Sequence, residues 1–230
     1  MRNFALACML AFAATAAAAQ ITADQVAANS LQARGGAAQF AAVRNFRFSG
    51  HLDLQGKPAP LTVWCASNPA RIRVEVALPQ GKLVQGFDGI TAWELDPGRS
   101  EPRILQGDEA SNVRDQALGF LDLLAAPNVR KELLGQGSLD GHDYYKLGLT
   151  LATGDGFIQY LDAHTWLAFH EEYPGGLEDI SDYRKVGALL LPFRYVSGPP
   201  GQPGTPLVRD QVELNPALDP ALFRLPAGQH

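Results

Sequence analysis

The residues of this 230-residue sequence that could do chemistry are five histidines, two cysteines and a few adjacent acids, and their spacing argues against each obvious use. His164 and His170 stand six positions apart on one predicted strand, which separates them by roughly 20 Å. They are too far apart to share a metal ion. His142 sits in a Gly-His-Asp turn, His51 on the solvent side of a predicted strand, and His230 is the last residue, so turn and surface roles are expected. No serine lies in a Gly-x-Ser-x-Gly elbow, and no glycine-rich loop opens a helix. Cys65 falls in an apolar alternation with no histidine nearby, the pattern of a small buried hydrophobe. Glu171 and Glu172 are consecutive on a predicted strand, so they point to opposite faces. They are expected to solvate and protect an edge rather than to form an acid/base pair. No catalytic residue, metal site or cofactor is expected, and the sequence reads as that of a binding protein, not an enzyme.

Composition narrows the classes further. With 46% apolar and 19% charged residues the chain can bury a core, which excludes disorder. The net charge is −5 and no stripe of Lys and Arg is present, so nucleic acid is not an expected partner. Met1-Arg2-Asn3, the uncharged apolar run 4–14 and Ala17-Ala18-Ala19 together read as a secretory signal peptide over 1–19, cleaved before Gln20. The run is shorter than the roughly 20 residues a spanning helix needs. Cys8 lies inside it, so cleavage leaves Cys65 as the only thiol, with no intramolecular disulfide and no lipid-anchoring cysteine at the new terminus. The expectation is a single exported domain over 20–230, soluble after cleavage and not stably inserted in a membrane.

The elements that must position any site can be read from periodicity. Thr22 and Gln25 form a capping-box signature for a first helix, ended by Gly35-Gly36, with a short turn over 37–42. From Val43 the period becomes two: Phe46, Phe48, Leu52 and Leu54 alternate with polar residues, as do Leu61, Val63 and Cys65, then Ile72, Val74, Val76 and Leu78. Three further strands are predicted over 81–87, 90–95 and 102–105. Helical spacing returns at Val113, Ala117, Phe120, Leu121 and Leu124, and Pro127 is positioned to start a second helix. Strands resume over 144–151, 157–161, 165–172, 178–186, 189–196 and 207–214. The Gly- and Pro-rich stretch 198–206 is predicted to be an extended loop. The outcome is eleven or twelve antiparallel strands interrupted once by helices, an α+β architecture that is mainly β with helices over one face.

Several strands are apolar on both faces: Phe157, Leu161, Leu167 and Phe169 have one parity, Ile158, Tyr160 and Trp166 the other. Such a surplus is met by an ordinary filled β core, by a second cover or by a ligand. Asn68-Pro69-Ala70-Arg71-Ile72-Arg73-Val74-Glu75, followed by Gly86-Phe87-Asp88-Gly89-Ile90-Thr91-Ala92-Trp93, is similar to two elements of the LolA-type periplasmic lipoprotein carrier superfamily, in its outer-membrane lipoprotein-sorting branch. Gly141-His142-Asp143-Tyr144-Tyr145, Asp162-Ala163-His164-Thr165, Ser181-Asp182-Tyr183-Arg184 with Leu191-Pro192, and Leu214-Asn215-Pro216 resemble further pieces in the same order.

The resemblance implies a curved half-barrel of about eleven antiparallel strands, closed by helices over an apolar cavity for the acyl chains of a lipoprotein or lipid. It also implies an inner-membrane exporter and an outer-membrane receptor as partners. The family's arginine before the proline, which helps hold the lid closed, is Asn68 here. The residues expected to line the cavity are Phe48, Ile72, Val74, Val76, Trp93 and Leu147 from strands, and Leu118, Phe120, Leu121 and Leu124 from the lid. The alternative is a regulatory or envelope-sensing module that uses the same fold without transport.

Overall fold

The computed structural model describes residues 20–119, 121–126 and 128–226. The expected signal segment 1–19, Phe120, Pro127 and His230 lie outside the described residues. Helix α1 (Ala23–Ala33) opens with the expected capping box: the Thr22 hydroxyl accepts from the Gln25 amide at 3.2 Å, and the Gln25 side chain accepts from the Thr22 amide at 2.8 Å. Helix α2 (Ala37–Ala41) is a single turn beyond Gly35-Gly36. Six strands follow: β1 (Asn45–Leu54), β2 (Lys57–Ser67), β3 (Ala70–Leu78), β4 (Gly81–Phe87), β5 (Ala92–Leu95) and β6 (Arg103–Ile104). Helix α3 (Gly107–Leu118) separates them from β7 (Arg130–Leu139), β8 (His142–Thr150), β9 (Gly156–Asp162), β10 (Ala168–Tyr173), β11 (Gly176–Val186), β12 (Leu189–Gly198) and β13 (Thr205–Leu214).

All thirteen strands form one antiparallel sheet in the order β6-β5-β4-β3-β2-β1-β13-β12-β11-β10-β9-β8-β7. Within the sheet of the described residues, two meanders of hairpins, β1–β6 and β7–β13, are joined where the first strand pairs with the last. The sheet curves without closing, and its end strands β6 and β7 do not pair. The 198–206 stretch spans the connection from β12 to β13, as expected.

Three expectations are corrected. The segment after Pro127 is not a helix but β7, in which exposed and half-buried positions alternate from Arg130 to Gln136. Gly135 and Gly137 make a poor helix there, since glycine surrenders the most backbone entropy on helix formation. Helix α3 does not continue to Leu124. It stops at Leu118 with Gly119 as its cap, where a Cβ would stand 2.7 Å from the Leu123 side chain. Asp122 then caps a short 3-10 turn, Leu123–Ala125. His164 and His170 do not share a strand: Asp162 caps a turn through His164 and Thr165, and Trp166 (φ 62°) follows before β10 begins at Ala168.

Two covers lie on the concave face. Helix α1 packs on β7 and β8, with Val26, Ala27 and Leu31 buried in the main apolar cluster, while α3 packs across β2–β5 through Val113 and Ala117. On the convex face the 3-10 turn Pro220–Phe223 covers β3. Arg71 stacks on Phe223, and Arg73 donates to the Leu222 carbonyl at 3.3 Å.

Candidate functional site: a two-walled cavity

Between the two covers the concave face is not filled. A cavity of about 560 Å³, partly open to solvent, is roofed by the C-terminal end of α3 and the segment that follows it. This volume lies within the roughly 300–1,000 Å³ typical of small-molecule sites. Strand register divides its floor in two. On β1–β3 the inward positions are apolar: Phe48 pairs with Val63, which pairs with Val74, and Leu61 pairs with Val76. From β13 to β9 the inward positions include Arg209, Tyr195, Glu178, Tyr183, Glu171 and Gln159.

Of the residues expected at the site, Phe48, Ile72, Val74, Val76 and Leu121 line this cavity. Leu147 is fully buried on the same face but belongs to the part of the sheet under α1, and Leu124 is buried in the main apolar cluster outside the cavity. Leu118 is half-buried at the end of α3 and does not line it, because the buried side of that helix is taken by Val113 and Ala117. Trp93 stands on the opposite face. It pairs with Gly86, which pairs with Arg73, and its ring lies over Gly86 under the Arg73 guanidinium, 0% exposed. The parity read from β3 does not carry across to β5.

The polar wall was not anticipated. Glu171, expected to dress an edge, is 8% exposed, because β10 is flanked by β9 and β11 and its inward side faces the cavity. Gln159 donates to its carboxyl at 2.7 Å, and burial pushes Glu171 up to about 8. Burial likewise raises Glu178, whose carboxyl accepts from the Ser197 hydroxyl. The Tyr183 hydroxyl donates to the Ala168 carbonyl at 2.8 Å, and burial holds Tyr183 and Tyr195 well above the usual phenol range. At the roof, burial and the neighbouring Asp155 raise Asp115 to about 6. Glu172 does face outward as expected, where it accepts from Tyr160 and from Lys146.

The lid segment is tied down by a buried ion pair between Arg34, at the end of α1, and Asp122. Arg34 is 1% exposed, also donates to the Ser30 carbonyl and hydroxyl, and stacks on Phe40. Asp122 also accepts from the Leu124 amide at 2.9 Å, so one carboxylate holds both the roof and the first helix. Cys65 is a buried apolar-wall residue whose thiol burial pushes up, which disfavours the thiolate a nucleophile requires. Among the described residues, no group of three or more His, Cys, Asp or Glu is placed to hold a metal ion, and no helix is long and apolar enough to cross a membrane.

No family model matches the sequence, and no curated protein matches it. Solved structures do share its fold. A LolA superfamily protein from Nitrosomonas europaea superposes with a TM-score of 0.63 at 16% identity, over 89% of this chain and 98% of that one. A DUF1329 family protein from Desulfovibrio piger gives 0.61 at 14% identity, over 90% and 99%. At such identities the likeness speaks for the fold, and the fold of this chain is the LolA-type half-barrel with its helical cover.

Proposed function

We propose that the protein is a periplasmic carrier that takes the acyl chain of a lipid or lipoprotein into the cavity and moves it between membranes. The observation that carries this reading is the hollow itself: the β1–β3 wall presents Phe48, Leu61, Val63, Ile72, Val74 and Val76 to unfilled space in a fold shared with a LolA superfamily protein. The N-terminal segment, read as an export signal, supports the compartment. Each methylene removed from water contributes about 0.8 kcal/mol, so a sixteen-carbon chain gains about 12 kcal/mol over water. Against a bilayer the same chain gains almost nothing. Loading and release therefore depend on an inner-membrane exporter, an outer-membrane receptor and small changes in the roof over the cavity. No step of covalent chemistry is required of the protein.

The test is native mass spectrometry of the purified protein after incubation with vesicles of mixed acyl lipids, beside a Val74→Trp variant that fills the apolar wall. The expected result is a lipid adduct on the wild type and its loss in the variant, with thermal unfolding little changed. A wild type that carries no lipid and gains none would overturn the carrier reading in favour of a module that binds a protein signal.

A further inference from the structure

The apolar wall accounts for a tail; the residues beside it specify a head. Arg209 is 8% exposed and is the cation among the cavity-lining residues described. It enters the cavity because β13 carries a bulge. Gln211 pairs with Ser49 and Arg209 with Gly50, leaving Asp210 as the extra residue, so that Leu207, Arg209 and Val212 all face inward. Gly50 permits that close approach, since a Cβ there would stand 1.9 Å from the Val208 carbonyl oxygen.

The Arg209 guanidinium is held by rings and forms no ion pair among the described residues, Glu178 acting on it through space without bonding it. It lies 4.6 Å from the Phe48 ring centre, 4.7 Å from that of Tyr195 and 5.5 Å from that of Phe46. Its hydrogen bond among the described residues is from Nη1 to the Pro192 carbonyl at 3.0 Å, and its Nε is buried with no partner. A buried cation without a bonded anion is unfavourable, and a planar fork of donors suits a carboxylate or phosphate. Of the acids nearby, burial pushes Glu171 up to about 8 and raises Glu178 against the opposing effects of Ser197 and Arg209, and Asp122 is already engaged by Arg34. The Gln159 Oε1 is a further buried atom without a partner.

We infer that Arg209 is the anion subsite of this cavity. It receives the carboxylate or phosphate head of a single-chain amphiphile, whose tail lies along the Phe48–Val63–Val74 row. The row starts at the ring on which Arg209 stacks and crosses three strands toward β3, so head and tail positions are continuous. The inference rests on the carrier reading and deepens it by naming the class of ligand.

Affinities of the purified protein for dodecanoate, dodecyl phosphate, dodecanol and inorganic phosphate at pH 7 test it. At least one oxyanion amphiphile is expected to bind tenfold or more tightly than dodecanol, a difference of about 1.4 kcal/mol. Arg209→Gln is expected to bring the oxyanion amphiphiles within about twofold of dodecanol. Arg209→Lys should fall between. The wild-type ranking needs no variant to fold. Equal binding of the three amphiphiles by the wild type, or a preference that survives in Arg209→Gln, would overturn the subsite and leave the carrier reading standing. Inorganic phosphate binding as tightly as dodecyl phosphate would assign Arg209 to a free anion and also overturn it. Failure of every amphiphile to bind would remove the carrier reading and this inference together.

Discussion

Replacing Glu171 by glutamine isolates the energetic consequence of the polar wall. In the folded protein the carboxyl is buried beside Gln159 and titrates near 8, against 4.5 for an ordinary glutamate. The native state therefore holds a proton that the unfolded chain releases. Because the folded value is raised, the contribution of this group to stability is fully present below about pH 4.5 and is lost as the pH rises through about 8. Each pH unit within that window is worth about 1.4 kcal/mol, so the wild type loses about 4 kcal/mol from this side chain between pH 5 and pH 9. Glutamine has nearly the same shape, keeps an acceptor for Gln159 and does not titrate. Urea denaturation of wild type and Glu171→Gln at pH 5, 7 and 9 should show the variant gaining on the wild type at each step, more between pH 5 and 7 than between pH 7 and 9. Glu178, shifted in the same direction, contributes to the Glu171 shift, so the same comparison in a Glu178→Gln background separates the two titrations. A difference that changes by less than about 1 kcal/mol across this range would refute the reasoning, and with it the burial of Glu171 in the polar wall.

Asp122→Asn leaves the Arg34 guanidinium buried without its counter-charge and should cost about 3–5 kcal/mol, and an Arg34→Met, Asp122→Asn double variant should recover part of the loss in thermal or urea unfolding. Gly86→Ala places a methyl 2.4 Å from the Trp93 ring and should destabilise the protein by about 1–3 kcal/mol, with a change in tryptophan fluorescence. Cys65 should resist a thiol-specific disulfide reagent at pH 8 in the native protein and react at once in denaturant; rapid native modification would contradict its burial in the apolar wall.

Much of the frame was legible because it rests on local rules. Thr22 and Gln25 announce a helix start by pairing with each other's backbone, and the alternation of Phe46 and Phe48, or of Ile72, Val74 and Val76, follows from the two-residue repeat of a strand. The apolar wall was readable for the same reason. Strand β7 was hidden by the adjacent Leu133 and Leu134, which fit a helix as well as a strand, although Gly135 and Gly137 were a signal against the helix. The polar wall was hidden by bulges. One at Phe169 turns Glu171 inward after Ala168, and one at Asp210 lets Arg209 and Val212 share a face despite odd spacing. An extra residue in one strand exchanges every side chain beyond it between faces, and nothing in the composition of the strand marks where it falls. Trp93 shows the same limit across strands, since its face is set by pairing with Gly86 rather than by its own neighbours in sequence.

The seam at which β1 meets β13 governs when the hollow comes into being. Each meander can zip from hairpins between chain neighbours, yet the opposing banks of the hollow belong to different meanders, and within the sheet they are stitched together by β13, the last of the described strands. Without residues 205–214 the chain keeps the greasy bank but loses its charged corner and the sheet hydrogen bonds that join the two meanders, leaving the contact of α1 with β7 and β8 to hold them. Closure of the hollow is therefore a long-range event that waits on β13, after the hairpins of either meander have had the chance to form on their own.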